Sequence, residues 1–216
     1  MGKSPADSDD IGRFRSALEA TVESFGIEPL TLKQLDRLVE HYAMVCKWNR
    51  HINLTRITKP DQSARLHYAE SLFGGLFIGE ARTLLDLGSG PGFPGVPLAV
   101  QRSDLQVTAL EGSQKKALFL NEVKEALDLS NFSVVRARIE DFDWKAYDLL
   151  TSRALDRAEE TLGSVAARLR QAQRLMLYCT PDLIEQLASE PACGYATEVH
   201  RIPQSESRVV ALLSKS

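Results

Sequence analysis

The chain has 216 residues, 44% of them hydrophobic and 25% charged, a balance that supports one cored globular unit and excludes a fibrous or wholly disordered chain. Its formal net charge of −3 is not the bulk signature of a nucleic-acid binder, so such a partner would have to meet a local basic face. The longest mostly apolar stretch, residues 72–78, holds two glycines and is too short for a membrane span, and the polar start has neither a signal-peptide core nor a myristoylation motif.

The first ten residues are polar and acidic and are expected to be disordered. From there Ile11, Phe14, Leu18, Val22 and Phe25 recur at helical spacing, and Gly26 supplies a stop. Thr31 and Gln34 have the spacing of a capping box, ahead of the apolar stripe Leu35, Leu38, Val39, Tyr42 and Cys46. Pro60 opens a third helix running towards Phe77. Residues 11–80 therefore read as an N-terminal helical cap.

From Arg82 strands and helices alternate. Strands are expected at 83–87, 105–110, 132–135, 147–151 and 174–178, and helices at 97–101, 115–127, 158–169 and 181–188. Two further strands, 195–202 and 208–213, follow with no helix between them. The pattern predicts an α/β fold over residues 81–216: a doubly wound, mostly parallel, seven-stranded Rossmann-like sheet with an antiparallel terminal strand. The three cysteines, Cys46, Cys179 and Cys193, have no C-x-x-C spacing, so no disulfide framework or metal site is expected and a cytoplasmic setting fits.

The informative stretch is Asp86-Leu87-Gly88-Ser89-Gly90-Pro91-Gly92-Phe93-Pro94-Gly95, between the first strand and its helix. In a doubly wound sheet that turn binds nucleotides. Gly90, Gly92 and Gly95 fit the dinucleotide spacing, and Glu111 ends the next strand, where an acid binds ribose hydroxyls. Asp86 argues against a dinucleotide, because a pyrophosphate there would meet a carboxylate. S-adenosylmethionine carries no phosphate, and an acidic lip attracts its amino group and sulfonium. Ile139 and Glu140 follow the third strand, and on the residues alone they read equally as an adenine contact or an ordinary loop.

With that loop, Trp48-Asn49, Asn53-Leu54-Thr55, His67, Ser71-Leu72, Lys115-Lys116, Phe119-Leu120 and Ser152-Arg153-Ala154 make a recognisable set. Over residues 46–154 the chain resembles the small-subunit (16S) rRNA guanine-N7 methyltransferases, the glucose-inhibited division protein B group. The resemblance implies that Gly88 and Phe93 contact S-adenosylmethionine, that Ile139 and Glu140 flank its adenine, and that Arg153 lines the site. It also implies the small ribosomal subunit as partner. After Ala154 the chain departs from the family. Many members have a glycine-rich turn before the fifth strand and a Lys-Gly pair after it, where this chain reads Gln171-Ala172-Gln173-Arg174 and Tyr178-Cys179-Thr180.

Guanine N7 has a lone pair and no proton to lose, so the transfer needs no general base. Ser152-Arg153-Ala154-Leu155 matches this, since it has neither the Asn/Asp-Pro-Pro-aromatic motif of amine methyltransferases nor a cysteine nucleophile. Arg153, with its rigid donor fork, and Asn53 are the candidates to hold the base or a phosphate. The alternative for Arg153 is an ion pair with Asp156 or Glu159, and for Asn53 a turn cap. Lys47, Arg50, Arg56, Lys59, Arg65 and His67 cluster around Trp48 as an RNA-docking group, with Lys115 as a second rim; Trp48 itself is read preferentially as core. A monomer is expected. Alternatives are a methyltransferase acting on a small molecule, tRNA or protein, and a non-catalytic cofactor-binding ribosome-assembly factor.

Overall fold

The computed structural model describes residues 7–143, 147–153, 174–188 and 195–215. The helix expected at 158–169, and Asp156, Glu159 and Cys193, lie outside these residues.

Helix α1 (Ser8–Ser24) begins inside the stretch expected to be disordered. The acidic residues there serve the helix: the Asp7 carboxylate accepts from the Asp10 amide at 2.8 Å, and Asp9 and Asp10 complement the first-turn dipole. Gly26, at φ +66°, ends α1, with the Gly26 and Ile27 amides donating back to the Glu23 and Val22 carbonyls. Helix α2 (Leu32–Trp48) opens on the expected capping box, with both the Thr31 and the Gln34 halves formed. The third helical run is not uniform. It passes from α3 (Pro60–Ser63) through a π-helical segment (Ala64–Ala69) into α4 (Glu70–Gly74) and a 3-10 turn (Gly75–Phe77).

The sheet comprises β1 (Thr83–Leu87), β2 (Gln106–Leu110), β3 (Phe132–Val135), β4 (Leu149–Ser152), β5 (Arg174–Cys179), β6 (Tyr195–Arg201) and β7 (Val209–Lys215). Their order is β3-β2-β1-β4-β5-β7-β6. All neighbours are parallel except β7, which runs antiparallel to β5 and to β6. Helices α5 (Gly95–Gln101), α6 (Gln114–Ala126) and α7 (Pro181–Ala188) follow β1, β2 and β5. The strand order reverses beside β1, between β2 and β4, which is where such a sheet opens a ligand crevice at its carboxyl ends.

Period-two alternation along the strands builds two cores. Leu84, Val107, Ala109, Leu149, Met176 and Val210 face the helical cap, α5 and α6. Leu85, Leu87, Leu110, Leu150, Leu175 and Leu177 form the second core with Leu183 of α7. Cys179 belongs to that second core and is 3% exposed, so its place at the end of β5 is an apolar one. The cap is part of the first core. Phe14 stacks on Tyr42 with ring centres 4.1 Å apart and meets Tyr68 edge-on, while α2 packs against α5 and α6. No described helix is long and apolar enough to cross a membrane. Among the described residues no cluster of His, Cys, Asp or Glu is placed to hold a metal ion.

Candidate active site

The loop from Gly88 to Pro94 leaves the end of β1 at the reversal point. Gly88, Gly90 and Gly92 have φ of +68°, +58° and +96°, and the Phe93–Pro94 peptide is cis. The positive φ values explain why glycine recurs there. The Gly88 and Ser89 amides both donate to the Leu110 carbonyl, which ties the loop to the end of β2. A Cβ placed at Gly88 would meet no protein atom within 4 Å, so the space beside it is open to a ligand. At Gly92, by contrast, a Cβ would stand 2.6 Å from a Val96 methyl. The first glycine thus borders open space, and the last is required by the packing.

Both carboxylates beneath this loop hold its backbone. Asp86 is fully buried, and its Oδ2 accepts from the Ser89 hydroxyl at 2.6 Å and from the Gly95 amide at 3.0 Å. A Cβ at Gly95 would lie 2.7 Å from that oxygen, so this glycine makes room for Asp86. The expected acidic lip is therefore a buried support: alternation along β1 turns Asp86 under the loop. Burial pushes its carboxyl up to about 7, against the two hydrogen bonds. Its Oδ1 is buried with no hydrogen-bond partner. Glu111, 7% exposed, accepts from the Gly90 amide at 2.9 Å and the Ser113 amide at 2.8 Å. A carboxylate has about four lone-pair sites, so Glu111 keeps capacity for ribose hydroxyls. Ile139 and Glu140 fall in a 3-10 turn, Ile139–Asp141, beyond the carboxyl end of β3, with Ile139 packed against the second core.

The cap roofs the loop. Phe93 is 6% exposed and stacks on His67 at 4.6 Å, with Tyr68 edge-on at 4.9 Å and His41 at 5.3 Å. His67 Nε2 lies 2.8 Å from the Thr55 hydroxyl. Burial, then the nearby Arg153 charge, lower the His67 pKa to about 3, so it is neutral and offers an RNA phosphate no charge. The Asn53-Leu54-Thr55 triplet is organised by a residue the sequence reading left without a role. Asn49 Oδ1 accepts from the Leu54 and Thr55 amides at 2.8 and 3.0 Å, and its Nδ2 donates to the Thr55 carbonyl at 2.9 Å. Asn53 itself is exposed.

Arg153 stands just after β4, with its side chain 15% exposed. It donates to the carbonyls of Leu66 and His67, the latter at 3.1 Å, and to Glu70 at 2.9 Å. The carbonyls lie in the π-helical segment, whose shifted hydrogen bonding leaves backbone acceptors for a side chain to satisfy. Arg208 pairs with the other oxygen of Glu70, whose side chain is 2% exposed. Glu70, across the cap interface, is thus a partner of Arg153; Asp156 and Glu159, the alternative partners, lie outside the described residues.

Lys47, Arg50, Arg56, Lys59 and Lys115 are exposed, and none forms an ion pair among the described residues. Arg65 differs, donating to the Gln204 carbonyl at 3.1 Å. Trp48 is half-buried: it packs edge-on against Phe119 and donates its indole N–H to Glu122 at 3.1 Å. His41, Tyr68, Glu70 and Arg208 are the structural participants that sequence reasoning missed.

A doubly wound sheet of this order, with an open glycine cradle at β1 and carboxylates beneath and beside it, defines a Rossmann-like S-adenosylmethionine-dependent methyltransferase. A family model described as "GidB: rRNA small subunit methyltransferase G" matches residues 34–207. The ribosomal RNA small subunit methyltransferase G of Xanthomonas euvesicatoria pv. vesicatoria is 38% identical over 164 residues, 76% of this chain and 77% of that one. The protein of that name from Methylobacillus flagellatus is 38% identical over 142 residues, 65% and 68% of the two chains. The chain belongs to the GidB family of rRNA small subunit methyltransferases G. Solved structures agree on the fold. A SAM dependent methyltransferase from Aquifex aeolicus superposes with a TM-score of 0.57 at 17% identity, covering 72% of this chain and 93% of that one. Precorrin-6y C5,15-methyltransferase from Geobacter metallireducens gives 0.53 at 14% identity, covering 76% and 91%.

Proposed function

We propose that the chain transfers the methyl group of S-adenosylmethionine to N7 of a guanine in small-subunit ribosomal RNA, docking the RNA on the exposed face of its cap. The observation that carries this reading is the join between a basic surface and the cofactor loop. Arg56 and Lys59 are exposed on the segment that contains Thr55, and Thr55 contacts His67, which stacks on Phe93 of the loop.

The residues fit the cofactor. The space beside Gly88 takes its backbone-contacting end, Glu111 its ribose hydroxyls, and the 139–141 turn its adenine. S-adenosylmethionine supplies an electrophilic methyl group on a sulfonium centre. The chain's own work is positional: to hold loop and acceptor in line, and to keep water out under the cap. The N7 lone pair leaves no proton for a base, which suits a site whose histidines are neutral and hydrogen-bonded. Arg153 acts from behind, fixing the π-helical segment over the end of β4. Lys47, Arg50, Arg56, Lys59 and Lys115 contact phosphates, and Asn53 presents its amide to the RNA. This function places the enzyme with the ribosome in the cytoplasm.

The test is the double reversal Arg56→Glu, Lys59→Glu, assayed on small subunits from a strain lacking the modification. The expected result is a fall in kcat/KM for subunits of roughly tenfold or more at moderate salt, with a shallower salt dependence. Affinity for S-adenosylhomocysteine should stay at the wild-type value. An unchanged kcat/KM would place the docking surface elsewhere.

A further inference from the structure

His41 is fully buried and uses both ring nitrogens. Its Nε2 lies 2.9 Å from the Pro91 carbonyl oxygen, and its Nδ1 lies 3.0 Å from the Tyr68 hydroxyl. The proton positions follow from the partners. A carbonyl only accepts, so Nε2 carries the hydrogen. The ring is neutral, because burial lowers its pKa to about 4, so Nδ1 is an acceptor and Tyr68 must be the donor. Burial also holds the Tyr68 hydroxyl well above its ordinary range, so that proton stays in place.

Pro91 lies between Gly90 and Gly92, in the middle of the loop. The Gly90 amide is held from the sheet by Glu111, and the Pro91 carbonyl is held from the cap by His41. A Cβ at Gly92 would come 3.3 Å from His41 Nε2, so glycine at this position makes room for the ring beside the loop. Phe119 of α6 also stacks on the His41 ring, with centres 6.2 Å apart.

We propose that His41, oriented by Tyr68, is a positioning residue for the cofactor loop: its Nε2–H fixes the Pro91 carbonyl and so sets the backbone on which the cofactor rests. This rests on the reading that the loop holds S-adenosylmethionine. The cap is then a working part of the cofactor site as well as a surface for RNA.

The experiment compares wild type with His41→Leu, His41→Gln and Tyr68→Phe. It measures the dissociation constant for S-adenosylhomocysteine by calorimetry and the unfolding temperature without ligand. Glutamine can return an N–H near the position of Nε2, and leucine cannot. Losing the hydrogen bond should raise the constant roughly tenfold in His41→Leu, with His41→Gln within about threefold of wild type. Tyr68→Phe, which removes one hydroxyl and leaves Nδ1 without its donor, should weaken binding several-fold, and it carries the test if the leucine variant does not fold. Equal weakening in His41→Leu and His41→Gln would show that the ring only fills space, and would overturn the proposal, as would wild-type affinity in His41→Leu or Tyr68→Phe. Wild type that binds no S-adenosylhomocysteine would overturn the cofactor reading itself, and the proposal with it.

Discussion

Glu70→Ala is expected to lower the free energy of unfolding by about 3 kcal/mol, the low end for breaking a buried ion pair. The carboxylate is 2% exposed and pairs with Arg153 and Arg208, so its removal takes a buried counter-charge from two guanidinium groups at the cap interface. The figure sits at the low end because the Arg208 side chain is 33% exposed and can turn to water, whereas Arg153 at 15% cannot readily do so. Glu70 remains harder to ionise than a free glutamate even so, since its burial outweighs the two arginines. Urea denaturation at neutral pH measures the loss. A change below about 0.5 kcal/mol, the size of an ordinary surface substitution, would mean that the π-helical segment is held by packing alone.

The second large effect is on acid stability. His41 titrates near 6.5 when unfolded and at about 4 when folded, so the folded state refuses a proton that the unfolded chain takes up. Its contribution is fully present above pH 6.5 and is lost as pH falls towards 4. At 1.36 kcal/mol per unit, that is about 3 kcal/mol over the window. Asp86 works in the opposite direction, because its raised pKa favours the folded state as pH falls from about 7. His67 adds to the acid loss, continuing towards pH 3. The clean observable is therefore a difference: between pH 7 and pH 4, wild type should lose about 3 kcal/mol more than His41→Gln. Parallel stability curves for the two proteins would show that His41 does not titrate against folding.

The sheet was legible because its strands are short apolar runs bounded by turn residues. The predicted 132–135 strand and 181–188 helix match the observed elements at both ends, and the capping box at Thr31 formed in full. The glycine loop was legible as a tight strand-to-helix turn for the same local reason, and its glycines do take positive φ. What escaped depends on contacts distant along the chain. Glu70 is 83 residues from Arg153, and no local pattern announces either the pair or the π-helical segment that it braces. His41 lies within α2 and has no local signal, since its partner is the loop 50 residues on. The direction of Asp86 was not legible, since a carboxylate beside glycines serves a ligand or the loop backbone equally well on paper, and here it holds Ser89 and the Gly95 amide. The acidic start misled because composition alone does not separate a solvated tail from a helix cap.

The most direct test of the central claim is methyl transfer from labelled S-adenosylmethionine to small subunits isolated from a strain that lacks the modification, followed by digestion and identification of the labelled nucleoside. The account predicts label in 7-methylguanine from the small-subunit RNA. Label at another atom, or in tRNA or a small molecule with none in the subunit, would contradict it.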